Sequence, residues 1–267
     1  MLLMLSIAWN TLLVNPILNI LIGLFKISGS LGVSIIGLTF IIKGILIPAT
    51  LPTIKNMKKQ RELQPELNKI KKKHKNDKRK QAEAQMELFK KHGINPTSGC
   101  LTQIVTLIVI IALFNVIRSF ALNGNISSIN PLLYFDILRF NEYDILDTTF
   151  LYLDLAKPDP FYIMGTVSAL LQLIATKMTM PLIKKAEKVA KKTPEKSDDM
   201  ALMMQQQSMY MMPIMNFIFG ITLPSGIMLY IVTTTVFTIV QNYFVSGLGG
   251  LKPWIEKLNF GKNVTSI

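Results

Sequence analysis

The run SIIGLTFIIKGILIPATLP, residues 34–52, decides the fold. Apart from Lys43 it has the apolar composition of a membrane span. At the centre of a membrane helix a lysine costs about 2.5–3.5 kcal/mol. Such a residue faces protein or trapped water and marks a pathway or a partner, or else it reaches the headgroups. Lys43 lies nine residues before Pro52, roughly 13 Å at 1.5 Å per residue. A lysine stem covers much of that distance by snorkelling. Taken alone, the stretch leaves both readings open.

The bulk properties of the chain fit a membrane protein. Its 267 residues are 50% hydrophobic and carry a formal charge of +13, with a mean hydropathy of +0.38. A chain both so apolar and so basic separates the two properties, with apolar residues in spans and lysines in the connections. Cys100 is the single cysteine, which excludes an intrachain disulfide. His74 and His92 have no partner at metal-ligand spacing and sit in lysine-rich segments, so both are expected to be solvated. No metal and no cofactor is expected.

The span around this stretch is expected at 31–52, and further apolar runs lie at 99–120, 160–183 and 208–246. Pro213 and the TLPSG turn at 222–226 divide the last run into two spans, for five in all. Residues 1–30 read as an amphipathic helix lying in the membrane interface, because Asn15, Asn19 and Lys26 share a face and Asn15-Pro16 interrupts the run. A cleaved signal peptide is the alternative there. No Arg- and Ser-rich transit sequence is visible, which favours a bacterial plasma membrane over an organelle.

Charge orients the spans. Segment 55–92 holds 14 basic and 5 acidic side chains, and 184–199 is also lysine-rich. Segment 121–159 has Asp136, Glu142, Asp144, Asp147, Asp154 and Asp159 against Arg139 and Lys157. Basic loops stay in the cytoplasm. The expectation is therefore a basic cytoplasmic hairpin at 53–98, an acidic extracytoplasmic loop at 121–159, and cytoplasmic segments at 184–207 and 247–267. The N-terminus is then outside and the C-terminus inside.

Within the basic segment, Leu63, Leu67 and Ile70, then Ala82, Met86 and Phe89, recur at helical spacing around Asn76-Asp77. This predicts two antiparallel helices with a thin apolar seam, the first kinked by Pro65. Lys71, Lys72, Lys73, Lys78, Arg79 and Lys80 are the candidate contacts with anionic lipid, ribosomal RNA or a targeting factor. A lysine-coated spacer is the competing reading.

No phosphate-binding loop, H-E-x-x-H motif or Cys/His cluster is present, and few acids lie within spans, so enzymatic activity is not expected. What remains is polar residues inside apolar runs. Thr39 and Lys43 are one turn apart in the first span, and Thr102, Gln103, Thr106 and Asn115 lie in the second. Gln172 and Thr176 share a face of the third, and Thr233, Thr234, Thr235, Thr238 and Gln241 lie in the last. A threonine can bond back to its own helix, so each alone says little. Together they read as one hydrophilic cavity, or as scattered helix-packing groups. The methionine-rich MALMMQQQSMYMMPIM, 200–215, either fills the start of the fourth span or offers an adaptable apolar surface.

ELQPEL (62–67), MELFKKHGINPTSGCL (86–101), MPIMNFIFGITLPSGIMLY (212–230) and VFTIVQNY (236–243), in this order, resemble the YidC/Oxa family of membrane protein insertases. The resemblance covers about residues 10 to 245. It implies an all-α membrane protein with five transmembrane helices around a hydrophilic groove open to cytoplasm and lipid. The basic residue of the family's first span, usually arginine, falls at Lys43, which keeps the charge without the five-donor fork. It would attract the polar, often acidic, tail of a client. The proline and glutamine usual after GCL are Thr102 and Thr106 here, the tryptophan after LY is Ile231, and the next asparagine is Thr235. The glutamine expected beside KM in the third span is Ala175, with Gln172 one turn earlier.

The implied partners are nascent membrane proteins and the lipid bilayer, with the Sec translocon, the ribosome and the signal recognition particle receptor as further candidates. No specific DNA binding is implied. A small transporter or channel subunit using Lys43 as a counter-charge is the competing class, and it predicts inverted repeats that are not visible. A membrane scaffold is the third.

Overall fold

The structure, a computed structural model, describes residues 9–75, 77–94, 105–114, 117, 126–141, 144, 147–179 and 199–252. A π-helical turn at Asn10–Val14 leads into α1 (Asn15–Ser28), which carries Pro16 in its first turn, where a missing N–H is harmless. It stops at Gly29, whose φ of 68° suits a residue without a Cβ.

The deciding run forms α2 (Leu31–Glu62), which passes through Pro48 and Pro52 instead of ending near 52. Each proline removes one backbone donor, and the helix continues on the remaining bonds into the basic segment. Leu63 separates α2 from α3 (Gln64–Lys73). Pro65 therefore opens a helix in its first turn and kinks none. Asp77 caps α4 (Lys78–Lys91), its Oδ1 accepting the Lys80 N–H at 3.0 Å. Leu63 and Leu67 are buried as expected, but Ala82 and Met86 are exposed, and Leu88 and Phe89 form the half-buried side of α4.

Next come α5 (Val105–Phe114), 3-10 turns at Ile126–Leu132 and Asp136–Leu138, and a ribbon that helical periodicity does not predict. Its strands β1 (Thr149–Phe150) and β2 (Leu153–Asp154) are antiparallel, with Thr149 opposite Asp154. α6 (Ile163–Thr179) and α7 (Asp199–Thr222) follow, and the Leu223-Pro224 break leads into α8 (Ser225–Ser246). Asn10–Ser28, Leu31–Glu62 and Ser225–Ser246 are long and apolar enough to cross a membrane, and α5, α6 and Tyr210–Thr222 are shorter apolar helices.

The chain divides into two compact units. The first comprises Met1–Ile47, Cys100–Leu171 and Ile214–Phe237, and the second Pro48–Gly99, Gln172–Pro213 and Thr238–Ile267. Pro48 and Pro213, both inside helices, fall at their boundaries.

The core of the first unit joins Leu18 and Ile22 of α1, Leu31, Ile35 and Leu38 of α2, Val109 and Leu113 of α5, and Ile227–Ile231 of α8. The acidic segment closes it through Leu153 and Leu155. The Leu155 and Lys157 carbonyls accept the Gly226 and Ser225 N–H groups at 3.0 and 2.8 Å, satisfying donors that every helix start leaves open. Buried Asp159 does the same for α6, accepting from the N–H groups of Phe161 (3.0 Å) and Met164 (2.7 Å) and from the Tyr152 hydroxyl (3.3 Å). Gly165 and Gly220 let α6 and α7 cross backbone to backbone, because a Cβ at Gly220 would collide with Gly165.

α1 runs against the acidic segment. The Tyr134 hydroxyl donates to the Thr11 carbonyl, the Asn19 amide exchanges bonds with Leu132 O (2.9 Å) and Tyr134 N (2.7 Å), and Lys26 Nζ donates to Arg139 O.

Candidate functional site

At 3.6 residues per turn, Thr39 and Lys43 lie about 40° apart on the part of α2 that belongs to the first unit. The burial pattern follows that face. Lys43 is 6% exposed and Thr39 is buried, while Ile41 and Ile45, each about 160° round the helix from Lys43, are 39% and 70% exposed. Lys43 therefore turns toward protein, and the apolar back of the helix is the face suited to lipid. Among the described residues the buried charged side chains are Lys43 and Asp159, and Asp159 is committed to capping α6.

The hydroxyls of the first unit bond in two ways. Thr39 Oγ1 donates to Ile35 O (2.7 Å), Thr235 to Ile231 O (2.8 Å) and Thr233 to Leu229 O (2.8 Å), so these protons stay within their own helices. Thr106 instead hydrogen-bonds the buried Tyr230 hydroxyl, which joins α5 to α8, and Thr234 is buried one turn after Tyr230. Tyr230 was not among the sequence candidates. Its position directly before Thr234 on a helix face, one turn away, was the signal available.

The second unit holds the other candidates. Gln172 Nε2 donates to Thr176 Oγ1 (3.3 Å) on α6, as their four-residue spacing predicts. Gln241 Nε2 donates to Thr50 Oγ1 (2.8 Å), tying α8 to α2. Arg61 Nη1 donates to Met178 O (2.7 Å) near the end of α6. Thr102, Gln103, Asn115 and Cys100 lie outside the described residues.

On the hairpin, Lys72, Lys73, Arg79 and Lys80 are exposed, and the side chains of Lys71 and Lys78 lie outside the description. Arg79 pairs with Glu83 (3.1 Å) and Lys80 with Asp77 (3.4 Å), both at the surface. The Lys80 backbone N–H holds the Asp77 carboxyl below its usual range against the opposing effect of burial, and the Lys80 side chain adds to the lowering. His92 is exposed, with Nδ1 2.9 Å from Leu88 O, and His74 is half-buried. Among the described residues no group of three or more His, Cys, Asp or Glu could hold a metal ion.

Comparison with known proteins matches residues 23–249 to the family model described as 60Kd inner membrane protein. "Membrane protein insertase YidC" of Fusobacterium nucleatum subsp. nucleatum is 34% identical over 224 residues, covering 84% of this chain and 90% of that protein. "Membrane protein insertase YidC 2" of Bacillus anthracis is 30% identical over 244 residues, 90% of this chain and 81% of the relative. "Membrane protein insertase YidC" of Geobacter sulfurreducens is 29% identical over 241 residues, 90% of this chain, and the chain spans 38% of its length. With its motifs in order and the family model covering most of its length, the chain belongs to the YidC/Oxa family, that of the 60Kd inner membrane protein.

Proposed function

We propose that this chain is a membrane protein insertase that moves the polar flank of a client across the bilayer without nucleotide hydrolysis. The observation that carries the reading is Lys43, buried on the protein-facing side of a helix whose other side is apolar and exposed. The insertase names carried by its relatives support the same role.

The physical task is to lower the cost of bringing polar groups into hydrocarbon. A wet groove in the first unit, bordered by Lys43, Thr39, Thr235 and the Thr106–Tyr230–Thr234 cluster, exchanges the flank's hydration for hydroxyls and water. Lys43 attracts an acidic flank. At an effective dielectric near 20, unlike charges 4 Å apart gain about 4 kcal/mol, comparable with the penalty of a charge in a span. The client's apolar segment then leaves into lipid, at roughly 25 cal/mol per Å² buried. Thr39 and Thr235 commit their protons to their own helices, so toward a client they act as acceptors.

The groove opens to the cytoplasm, the basic hairpin is cytoplasmic, and the acidic segment is outside with α1 lying along it in the interface. The hydrogen bonds between the acidic segment and Thr11, Asn19 and Lys26 support that placement of α1, because they engage one side over most of its length. The exposed hairpin lysines face anionic lipid, the ribosome or the signal recognition particle receptor, and the Sec translocon is a further partner.

The test is insertion of a short single-span client into proteoliposomes containing the purified protein and no nucleotide. Insertion above protein-free vesicles is expected, and its absence would overturn the reading. With Cys100 replaced, a cysteine at position 43 should react with a water-soluble probe from the hairpin side alone. Reaction from both sides would indicate a pore, and none from either side a scaffold.

A further inference from the structure

Three helix ends enclose a small pocket in the second unit. Its polar lining is Lys58 and Arg61 of α2, Thr179 of α6, and Asn242 and Ser246 of α8, over isoleucine and methionine side chains. Thr179 Oγ1 already donates to the carbonyls of Ala175 (3.2 Å) and Thr176 (3.0 Å). Arg61 uses one N–H on Met178 O, and the guanidinium has further donors. Asn242 is 2% exposed, and its Nδ2 has no hydrogen-bond partner among the described residues. A buried amide in that state is destabilising and calls for an acceptor from outside the chain.

The character of that acceptor follows from the lining. Two of its groups are cationic, the Asn242 amide offers two N–H donors, and no carboxylate lies among them. The pocket admits about one oxygen-sized atom at its base. Gly249 (φ +53°) lies against Arg61 Nη1 and Met178 O, so close that a Cβ would collide with both. Depth adds the last element. α8 has 22 residues, about 33 Å long, or roughly one hydrocarbon thickness. Ser246 thus lies at the edge of the hydrocarbon, where the headgroup region begins, and Asn242 lies one turn inside it.

We propose that this pocket seats a phosphoryl oxygen of an anionic lipid headgroup. One oxygen enters to accept from Asn242 Nδ2, while the remainder of the phosphate stays at the mouth against Lys58 and Arg61. Lateral basic pockets between helix ends take anionic headgroups by this chemistry, and charge-assisted bonds to phosphate are the stronger kind. The assignment needs the membrane location of the family and not the insertase activity.

The full-length protein in neutral maltoside micelles is titrated with short-chain phosphatidylglycerol, phosphatidylcholine or inorganic phosphate, reading the thermal unfolding midpoint. Phosphatidylglycerol should raise the midpoint saturably and phosphatidylcholine should not. Lys58→Gln and Asn242→Leu together should weaken the phosphatidylglycerol response about tenfold in concentration, the loss expected for one charge-assisted bond. Lys55→Gln, an equal charge change on the same helix, should leave it unaltered. Asn242→Leu alone should unfold no earlier than the native chain without lipid, because it removes an unmet donor. Equal responses to the two lipids, or a full response in the double variant, would overturn the proposal. An equal response to inorganic phosphate would overturn the lipid assignment in favour of a free anion. A lowered lipid-free midpoint in Asn242→Leu would show that the pocket holds only a structural water.

Discussion

The acidic segment 126–159 and the basic hairpin 64–91 are two charged regions that use charge in opposite ways. In the acidic segment the carboxylates build structure. Asp159 caps α6, Asp154 accepts from the Thr148 hydroxyl (2.8 Å) and the Ala156 N–H (3.0 Å) and pairs with Lys157 (2.8 Å), and Asp136 pairs with Arg139 (2.6 Å). In the hairpin the cations whose side chains are described face solvent, and the ion pairs among the described residues are surface pairs of small energetic weight. The lesson is that the sign of a loop's charge indicates its side of the membrane, while its bonding indicates its purpose. One region is a scaffold for helix starts and the other is an unspent field.

That contrast should break first at Asp159. Asp159→Ala leaves the Phe161 and Met164 N–H groups without their acceptor at a buried helix start. A loss of about 2–4 kcal/mol is expected, seen as a lower unfolding midpoint and reduced accumulation. An unchanged midpoint would show that the acidic segment is not the scaffold described.

The hairpin should behave in the reverse manner. Converting Lys71, Lys72 and Lys73 to glutamine should leave the unfolding midpoint unaltered. Binding to anionic vesicles should weaken, by about 1 kcal/mol for each lysine near the surface, with a shallower salt dependence. Equal binding at all ionic strengths would reduce the hairpin to a spacer.

A smaller effect sharpens the comparison through pH. Burial pushes the Asp154 carboxyl up, but hydrogen bonds from Lys157 and Thr148 outweigh it and hold it below the usual carboxylate range. Asp147 is likewise lowered, by the Thr149 hydroxyl and N–H. For a carboxylate depressed in the folded state, the stabilisation is complete above the unfolded value of about 3.9 and is lost as pH falls through the folded value. Hydrogen-exchange protection at Thr149 and Ala156, corrected for intrinsic rates, should therefore fall below about pH 4. Flat protection through that range would contradict the assignment.

The sequence makes some of this legible and hides the rest for physical reasons. Lys43 stands out because a charge in an apolar run is costly, and the break at Leu223-Pro224 because proline punctuates a helix. The Gln172–Thr176 bond follows from spacing alone. The passage of α2 through Pro48 and Pro52 was hidden, since local propensity argues against it and packing overrides it. Tyr230, Thr50, Arg61 and Asn242 were missed because their surroundings come from distant parts of the chain. Gln241 reaches Thr50, and Arg61 reaches Met178, across gaps that no periodicity encodes. The ribbon at 149–154 has strands of two residues, too short for an alternating pattern to register.

The central claim is that the buried charge of Lys43 draws acidic client flanks into the protein. It is tested most directly by measuring insertion of an acidic-tailed single-span client by Lys43→Ala and Lys43→Arg proteins reconstituted at equal density. Lys43→Arg should insert at close to the native rate, and Lys43→Ala should lose at least about tenfold, the equivalent of 1.4 kcal/mol of the expected attraction. Native insertion by folded, membrane-embedded Lys43→Ala protein would contradict it.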